Sequence, residues 1–161
     1  MIFRELRTSE YDLLKDFLYE AIFIPEGVKA PERSIIERPE LAVYYERFGE
    51  EPGDHCVAAD DDGIVVGVIW SRIMDDYGHI DDDTLSLAMA VLKDYRGQCI
   101  GTNLMQEMLS LLKEHGYENV SLSVQKENKA VRLYEHMGFK KVYESNEELI
   151  MVRELTQEKE K

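Results

Sequence analysis

The chain has 161 residues, 44% hydrophobic and 32% charged, with a formal net charge of −14. That length sustains one domain with its own core, and the acidic balance leaves no basic stripe to neutralise nucleic-acid phosphates. No apolar run reaches membrane-spanning length, residues 1–7 lack a signal-peptide shape, and Cys56 and Cys99 show no metal-ligand spacing.

The expectation is therefore a cytoplasmic monomer or homodimer with free thiols, no metal, and neither nucleic acid nor membrane as partner. The negative surplus keeps such a protein soluble and steers cationic amines toward it.

A strand over 2–7 precedes a helix over 9–23 that Pro25 and Gly27 end. A second helix begins at Pro39, places Leu41, Tyr44, Tyr45 and Phe48 at helical spacing, and stops at Gly49. Strands 55–59 and 64–74 flank Asp60-Asp61-Asp62-Gly63, a hairpin signal. Strand 84–91 alternates cleanly. Leu85, Leu87, Met89 and Val91 form one face, and the small residues Thr84, Ser86, Ala88 and Ala90 the other, a face suited to close helix packing.

Residues 95–102, Tyr-Arg-Gly-Gln-Cys-Ile-Gly-Thr, then open a helix over 101–115 whose apolar side is Leu104, Met105, Met108, Leu111 and Leu112. A glycine-containing loop before a helix exposes unpaired N–H groups at the positive end of the helix dipole, which suits an anion such as a phosphate. Strand 119–124 follows, then Asn128 as N-cap of a helix over 129–137 ended by Gly138, and strands 139–144 and 147–154. Residues 1–155 read as one domain, and 156–161 as a charged, frayed tail. Periodicity alone gives α/β or α+β.

Two segments carry a resemblance to the GNAT superfamily of acetyl-CoA-dependent N-acetyltransferases. Arg96–Gly101 matches the family's Arg/Gln-x-x-Gly-x-Gly/Ala loop, except that Cys99 replaces the first glycine. Asn128 and the run Leu133, Tyr134, Glu135, Gly138, Phe139 match its later Asn and Leu-Tyr-Glu-x-x-Gly-Phe motif. The resemblance covers about residues 84–144. It implies a mixed sheet of about seven strands in the order β-α-α-β-β-β-α-β-α-β-β, splayed between the fourth and fifth strands.

The same resemblance implies that acetyl-CoA is the co-substrate and that strand 84–91 bulges at Met89, Ala90 and Val91. Pantetheine would pair there as an added strand. The pyrophosphate would rest on the N–H groups of Gly97, Gln98, Cys99, Ile100, Gly101 and Thr102, with Arg96 and Gln98 as side-chain helpers and Asn128 near the pantetheine arm. Cys99 fits this loop only with φ below zero and its thiol turned away from the phosphates.

Tyr134 is the expected general acid, because a phenol stays protonated at neutral pH and can donate to the leaving thiolate. The Val91 N–H is the expected oxyanion donor.

No general base is evident. Leu85 and Leu87 occupy the strand where several family members place a titratable residue. His79, Asp81, Asp82, Asp83, Glu20 and Glu26 are nearby candidates without a motif. His55, His115 and His136 read as structural or exposed. The expected activity is direct acetyl transfer to a primary amine, small molecule or protein, with an acceptor pocket from residues 20–48 and 75–83. The alternative is an acyl-CoA-binding regulatory module without turnover.

Overall fold

Side-chain alternation in the central strands decides how this chain layers. The computed structural model describes residues 1–73 and 84–155. Its strands are β1 (Ile2–Glu5), β2 (His55–Asp61), β3 (Ile64–Arg72), β4 (Thr84–Val91), β5 (Asn119–Gln125), β6 (Lys140–Glu144) and β7 (Glu148–Glu154), and its helices are α1 (Leu13–Ala21), α2 (Pro39–Ala42), α3 (Ile100–Glu114) and α4 (Ala130–His136). The strands form one sheet ordered β1-β2-β3-β4-β5-β7-β6. β4 and β5 run parallel, with α3 as their crossover, and every other neighbouring pair is antiparallel.

The two faces of β4 serve two cores. Leu85 and Leu87 join Leu104, Met105, Met108 and Leu112 of α3, with Met89 and Val91 packed at the border. Ala88 and Ala90 belong instead to the core around Leu14, Phe17 and Leu18 of α1. The small face thus lets α1 sit close to the strand. Both helices bury apolar stripes against the same sheet, which supplies most of the driving force for this architecture.

The second expected helix is much shorter than its periodicity suggests. α2 ends at Ala42, and residues 43–49 form turns. Tertiary donors claim the carbonyls that a helix would use. Arg72 Nη1 donates to Val43 O at 3.0 Å and to Glu46 O at 2.7 Å, and Trp70 Nε1 donates to Tyr44 O at 2.9 Å. Arg47 then takes a left-handed φ of 52°. The Arg72 guanidinium also grips both Asp54 oxygens, at 3.0 and 3.1 Å, so β3 clamps the whole 43–54 segment.

Smaller shifts of boundary occur elsewhere. The first expected helix splits into a 3-10 turn (Thr8–Glu10) and α1, and a second 3-10 turn covers Arg33–Glu37. The expected hairpin forms, with Asp62 and Gly63 both at positive φ.

Candidate active site

The main site feature is an interrupted edge in the middle of the sheet. β4 and β5 pair only from Thr84↔Asn119 to Ser86↔Ser121. On its other side β4 stays in register with β3 through Gly67↔Val91, and Leu92 N donates to Val66 O at 2.9 Å. Antiparallel alternation therefore turns the N–H and C=O of the even residues 88, 90 and 92 toward β3. Those of Met89 and Val91 face the opposite way, into the gap beside β5.

The register is regular across Met89–Val91. The expected bulge is absent, and the opening comes instead from the end of β4–β5 pairing at Ser86↔Ser121, beyond which β4 stays with β3 and β5 with β7. Backbone groups are exposed without any extra residue in the strand.

At the end of this strand the chain makes a short 3-10 turn, Lys93–Tyr95, and enters the loop before α3. Gly97 has φ 79° and Cys99 has φ 66°. The condition that Cys99 keep φ below zero is thus not met. The loop needs two left-handed residues to bring the start of α3 back toward the strand, and the second is a cysteine. That conformation costs a non-glycine residue about 1–2 kcal/mol. Its side chain is exposed, whereas Cys56 is buried.

The first helical bond of α3 is Asn103 N to Cys99 O at 3.2 Å. Among the described residues, none of the N–H groups from Gly97 to Thr102 has a protein acceptor. Six consecutive donors thus stand open at the start of a fifteen-residue helix. Gly101 lies underneath, where a Cβ would meet Met89 Cε at 3.4 Å and Leu133 Cδ2 at 3.6 Å. It is the point where β4, α3 and α4 come together.

Arg96 lies outside the row of open amides. Its Nε donates to Val91 O at 2.9 Å, and its Nη2 reaches Glu20 Oε1 at 3.3 Å. Gln98 makes one long contact, Nε2 to Asp94 O at 3.5 Å.

The second motif has a local structural logic. Asn128 Oδ1 accepts the Ala130 N–H at 2.9 Å, so it caps α4 from just outside the helix. At the far end, Gly138 (φ 95°) donates to Glu135 O at 3.1 Å and Phe139 donates to Tyr134 O at 3.0 Å. This is a Schellman ending, which requires a residue that tolerates positive φ at Gly138. Its hydrophobic contact is the Tyr134–Phe139 ring pair, with centroids 5.9 Å apart. Tyr134 also packs against the α3-side core, the same cluster that Met89 and Val91 border. Burial pushes its phenol up to about 12. Among the described residues its hydroxyl makes no hydrogen bond to the protein.

Of the candidate bases, His79, Asp81, Asp82 and Asp83 lie outside the described residues, as does the whole of the expected 75–83 acceptor loop. Glu26 is exposed and Glu20 pairs with Arg96. Leu85 and Leu87 are buried in the core. His55 stacks on His115 with centroids 4.7 Å apart, at the far end of α3, and burial lowers its pKa. Among the described residues no group of three or more His, Cys, Asp or Glu could hold a metal ion, and no helix is long and apolar enough to cross a membrane.

Residues 19–151 match the family described as the acetyltransferase (GNAT) domain. The chain belongs to that family. The GNAT fold recurs in the N-acetyltransferase PaiA of Thermoplasma acidophilum in complex with coenzyme A, with a TM-score of 0.70 and 18% identity over 95% of this chain and 98% of that one.

Among curated relatives, a probable N-acetyltransferase camello from Xenopus tropicalis is 36% identical over 84 residues, 52% of this chain and 37% of its own length. An N-alpha-acetyltransferase from Sulfurisphaera tokodaii is 38% identical over 92 residues, 52% of this chain and 55% of its own. The match thus spans about a third to a half of these relatives. The seven-stranded mixed sheet, parallel only between β4 and β5, is the GNAT arrangement.

Sequence reasoning missed the contact between Glu20 and Arg96. They are 76 positions apart, and no periodicity links the end of one helix to a loop so far away.

Proposed function

We propose that this GNAT domain, residues 1–155, transfers the acetyl group of acetyl-CoA directly to a primary amine. The observation that carries this reading is the opening between β4 and β5, placed beside the bare N-terminus of α3. A strand edge that leaves the Met89 N–H and C=O and the Val91 N–H without a strand partner suits an amide-bearing pantetheine chain. Six unpaired N–H groups at a helix start suit a pyrophosphate. The residues present therefore fit the co-substrate, with Met89, Ala90 and Val91 along its arm and Gly97, Gln98, Cys99, Ile100, Gly101 and Thr102 at its phosphates. Asn128 has its side-chain oxygen engaged as a cap, so its contribution there is to fix the start of α4.

Acetyl-CoA supplies an activated thioester. The Val91 N–H, aimed into the gap by strand alternation, would donate to the oxygen that gains charge as the amine attacks. Tyr134 would donate its proton to the departing sulfur. A phenol raised by burial stays protonated across the neutral range, so the acid is always loaded. The amine attacks the thioester itself, so the reading needs no protein nucleophile; Cys56 is buried with its thiol pushed up by burial, and among the described residues no hydrogen bond joins the exposed Cys99 to a histidine. The amine's own proton would pass through water to a carboxylate at the rim, with the exposed Glu26 as the described candidate, since Glu20 is held by Arg96.

A small amine is the favoured acceptor on charge grounds, because the acidic surface attracts cations. Similarity to an N-alpha-acetyltransferase gives a reason to include a peptide α-amine.

The test is calorimetric titration with CoA and acetyl-CoA, followed by thiol release with spermidine and with a short peptide bearing a free N-terminus. Binding with release for either amine supports the reading. Binding without release for any amine favours a CoA-binding regulatory module, a reading that buried Leu85 and Leu87 motivate. Absence of CoA binding overturns both.

A further inference from the structure

The place of Arg96 in the phosphate-loop motif does not account for where its guanidinium goes. Nε donates to the Val91 carbonyl at 2.9 Å, and Nη2 reaches both the Glu20 carbonyl at 3.4 Å and the Glu20 carboxylate at 3.3 Å. Val91 therefore has its carbonyl occupied and its N–H open to the gap. Glu20 lies in the last turn of α1, which carries no basic residue. The guanidinium supplies the donor and the positive charge that this helix end lacks. α1 itself rests on Ala88 and Ala90 of β4. One side chain thus joins the strand end and the helix end that meet at the mouth of the cleft.

We propose that Arg96 is a positioning residue that locks the end of α1 to Val91, fixing the acceptor-side lip relative to the strand that presents the oxyanion donor. The two side chains are 51% and 37% exposed, so their pairing adds little to stability. Water could satisfy either partner separately. Only a forked, rigid donor set can hold both at one spacing, which a lysine cannot reproduce. The inference rests on the acetyl-transfer reading for its catalytic consequence, but the strut itself can be tested without turnover.

The experiment uses Arg96→Gln, Arg96→Lys, Glu20→Gln and the double variant Arg96→Gln/Glu20→Gln in the full chain. Three readouts are taken: CoA affinity by calorimetry, hydrogen exchange of the peptide spanning α1, and steady-state thiol release with spermidine or the free-N-terminus peptide. Arg96→Gln is expected to speed exchange in the last turn of α1 and to lower kcat about tenfold, a modest misplacement effect. CoA affinity should move by less than about threefold. Arg96→Lys should not restore the rate. Glu20→Gln should cost less, and the double variant should be no worse than Arg96→Gln, since coupled groups are not additive.

A weakening of CoA binding by about tenfold or more, with exchange in α1 unchanged, would make Arg96 a phosphate ligand and overturn the proposal. Additive losses in the double variant would also overturn it. Should the parent bind CoA yet acetylate neither amine, the acetyl-transfer reading fails there. Exchange and affinity then still decide the strut: faster exchange with retained affinity supports it, and unchanged exchange overturns it.

Discussion

The chemistry proposed for Tyr134 and the left-handed conformation of Cys99 can each be tested by a single substitution. Tyr134 is held by the Schellman ending of α4 and by its ring contact with Phe139. Phenylalanine keeps both and removes only the donor, so Tyr134→Phe should fold normally. Its catalytic rate should fall by about 10²-fold, the lower end for general acid catalysis, because water replaces part of the donor's role. Stopped-flow thiol release where chemistry limits turnover checks this, and an undiminished rate would make Tyr134 a core residue only.

The raised phenol adds a stability signature. The folded group titrates near 12 and an unfolded tyrosine near about 10. The unfolded chain thus loses its proton first. Stability from this group is complete below about pH 10 and falls as pH rises toward 12. Above pH 10 the melting temperature should fall with pH more steeply in the parent than in Tyr134→Phe. Cys99 poses the opposite kind of question. Cys99→Gly removes a left-handed penalty of about 1–2 kcal/mol while adding glycine's chain-entropy cost of about 0.5–1 kcal/mol. Denaturant melts should show a gain of up to about 1.5 kcal/mol, and a clear loss would mean that the cysteine side chain stabilises the loop.

At the scale of elements, Gly101 is the joint between β4, α3 and α4. An added methyl would find ordinary contact distances to Met89 and Leu133, and the backbone there is helical. Gly101→Ala should therefore be tolerated and stabilise by about 0.4–1 kcal/mol through the unfolded chain. Gly101→Glu must either wedge α4 away from β4 or place a carboxylate among the open amides. CoA affinity should then drop by at least about tenfold, through repulsion of the phosphates. Calorimetry on both variants checks the pair of outcomes, and unchanged affinity in Gly101→Glu would place the phosphates elsewhere.

These elements also show where sequence reading succeeds and where it stops. Strand 84–91 was legible because alternation puts Leu and Ala on faces with different partners, and α4 because Asn128 and Gly138 are local start and stop signals. Helix 39–48 was overread because its carbonyls are claimed by Arg72 and Trp70, more than twenty residues away. The positive φ of Cys99 was hidden for a related reason: a loop's path is set by the two elements it must join. The contact of Arg96 with Glu20 left no local trace at all.

For the whole molecule, the net charge of −14 acts against CoA and in favour of a cationic acceptor of the kind proposed. CoA carries several negative phosphate charges, so the protein's overall field repels it until it reaches the α3 N-terminus, where attraction is short-ranged. The Debye length shrinks from about 30 Å at 0.01 M salt to about 8 Å at physiological ionic strength. Screening should remove the long-range repulsion before it weakens contacts made at hydrogen-bond distance. The association rate of CoA should accordingly rise as salt increases from about 20 to about 200 mM. A cationic acceptor such as spermidine experiences the same field with opposite sign, so its kcat/KM should fall over that range. Stopped-flow CoA binding and steady-state thiol release, run in parallel, give the two slopes. A CoA association rate that falls with salt would mean that the basic groups around α4, Lys126, Lys129 and Arg132, outweigh the net charge on the approach path.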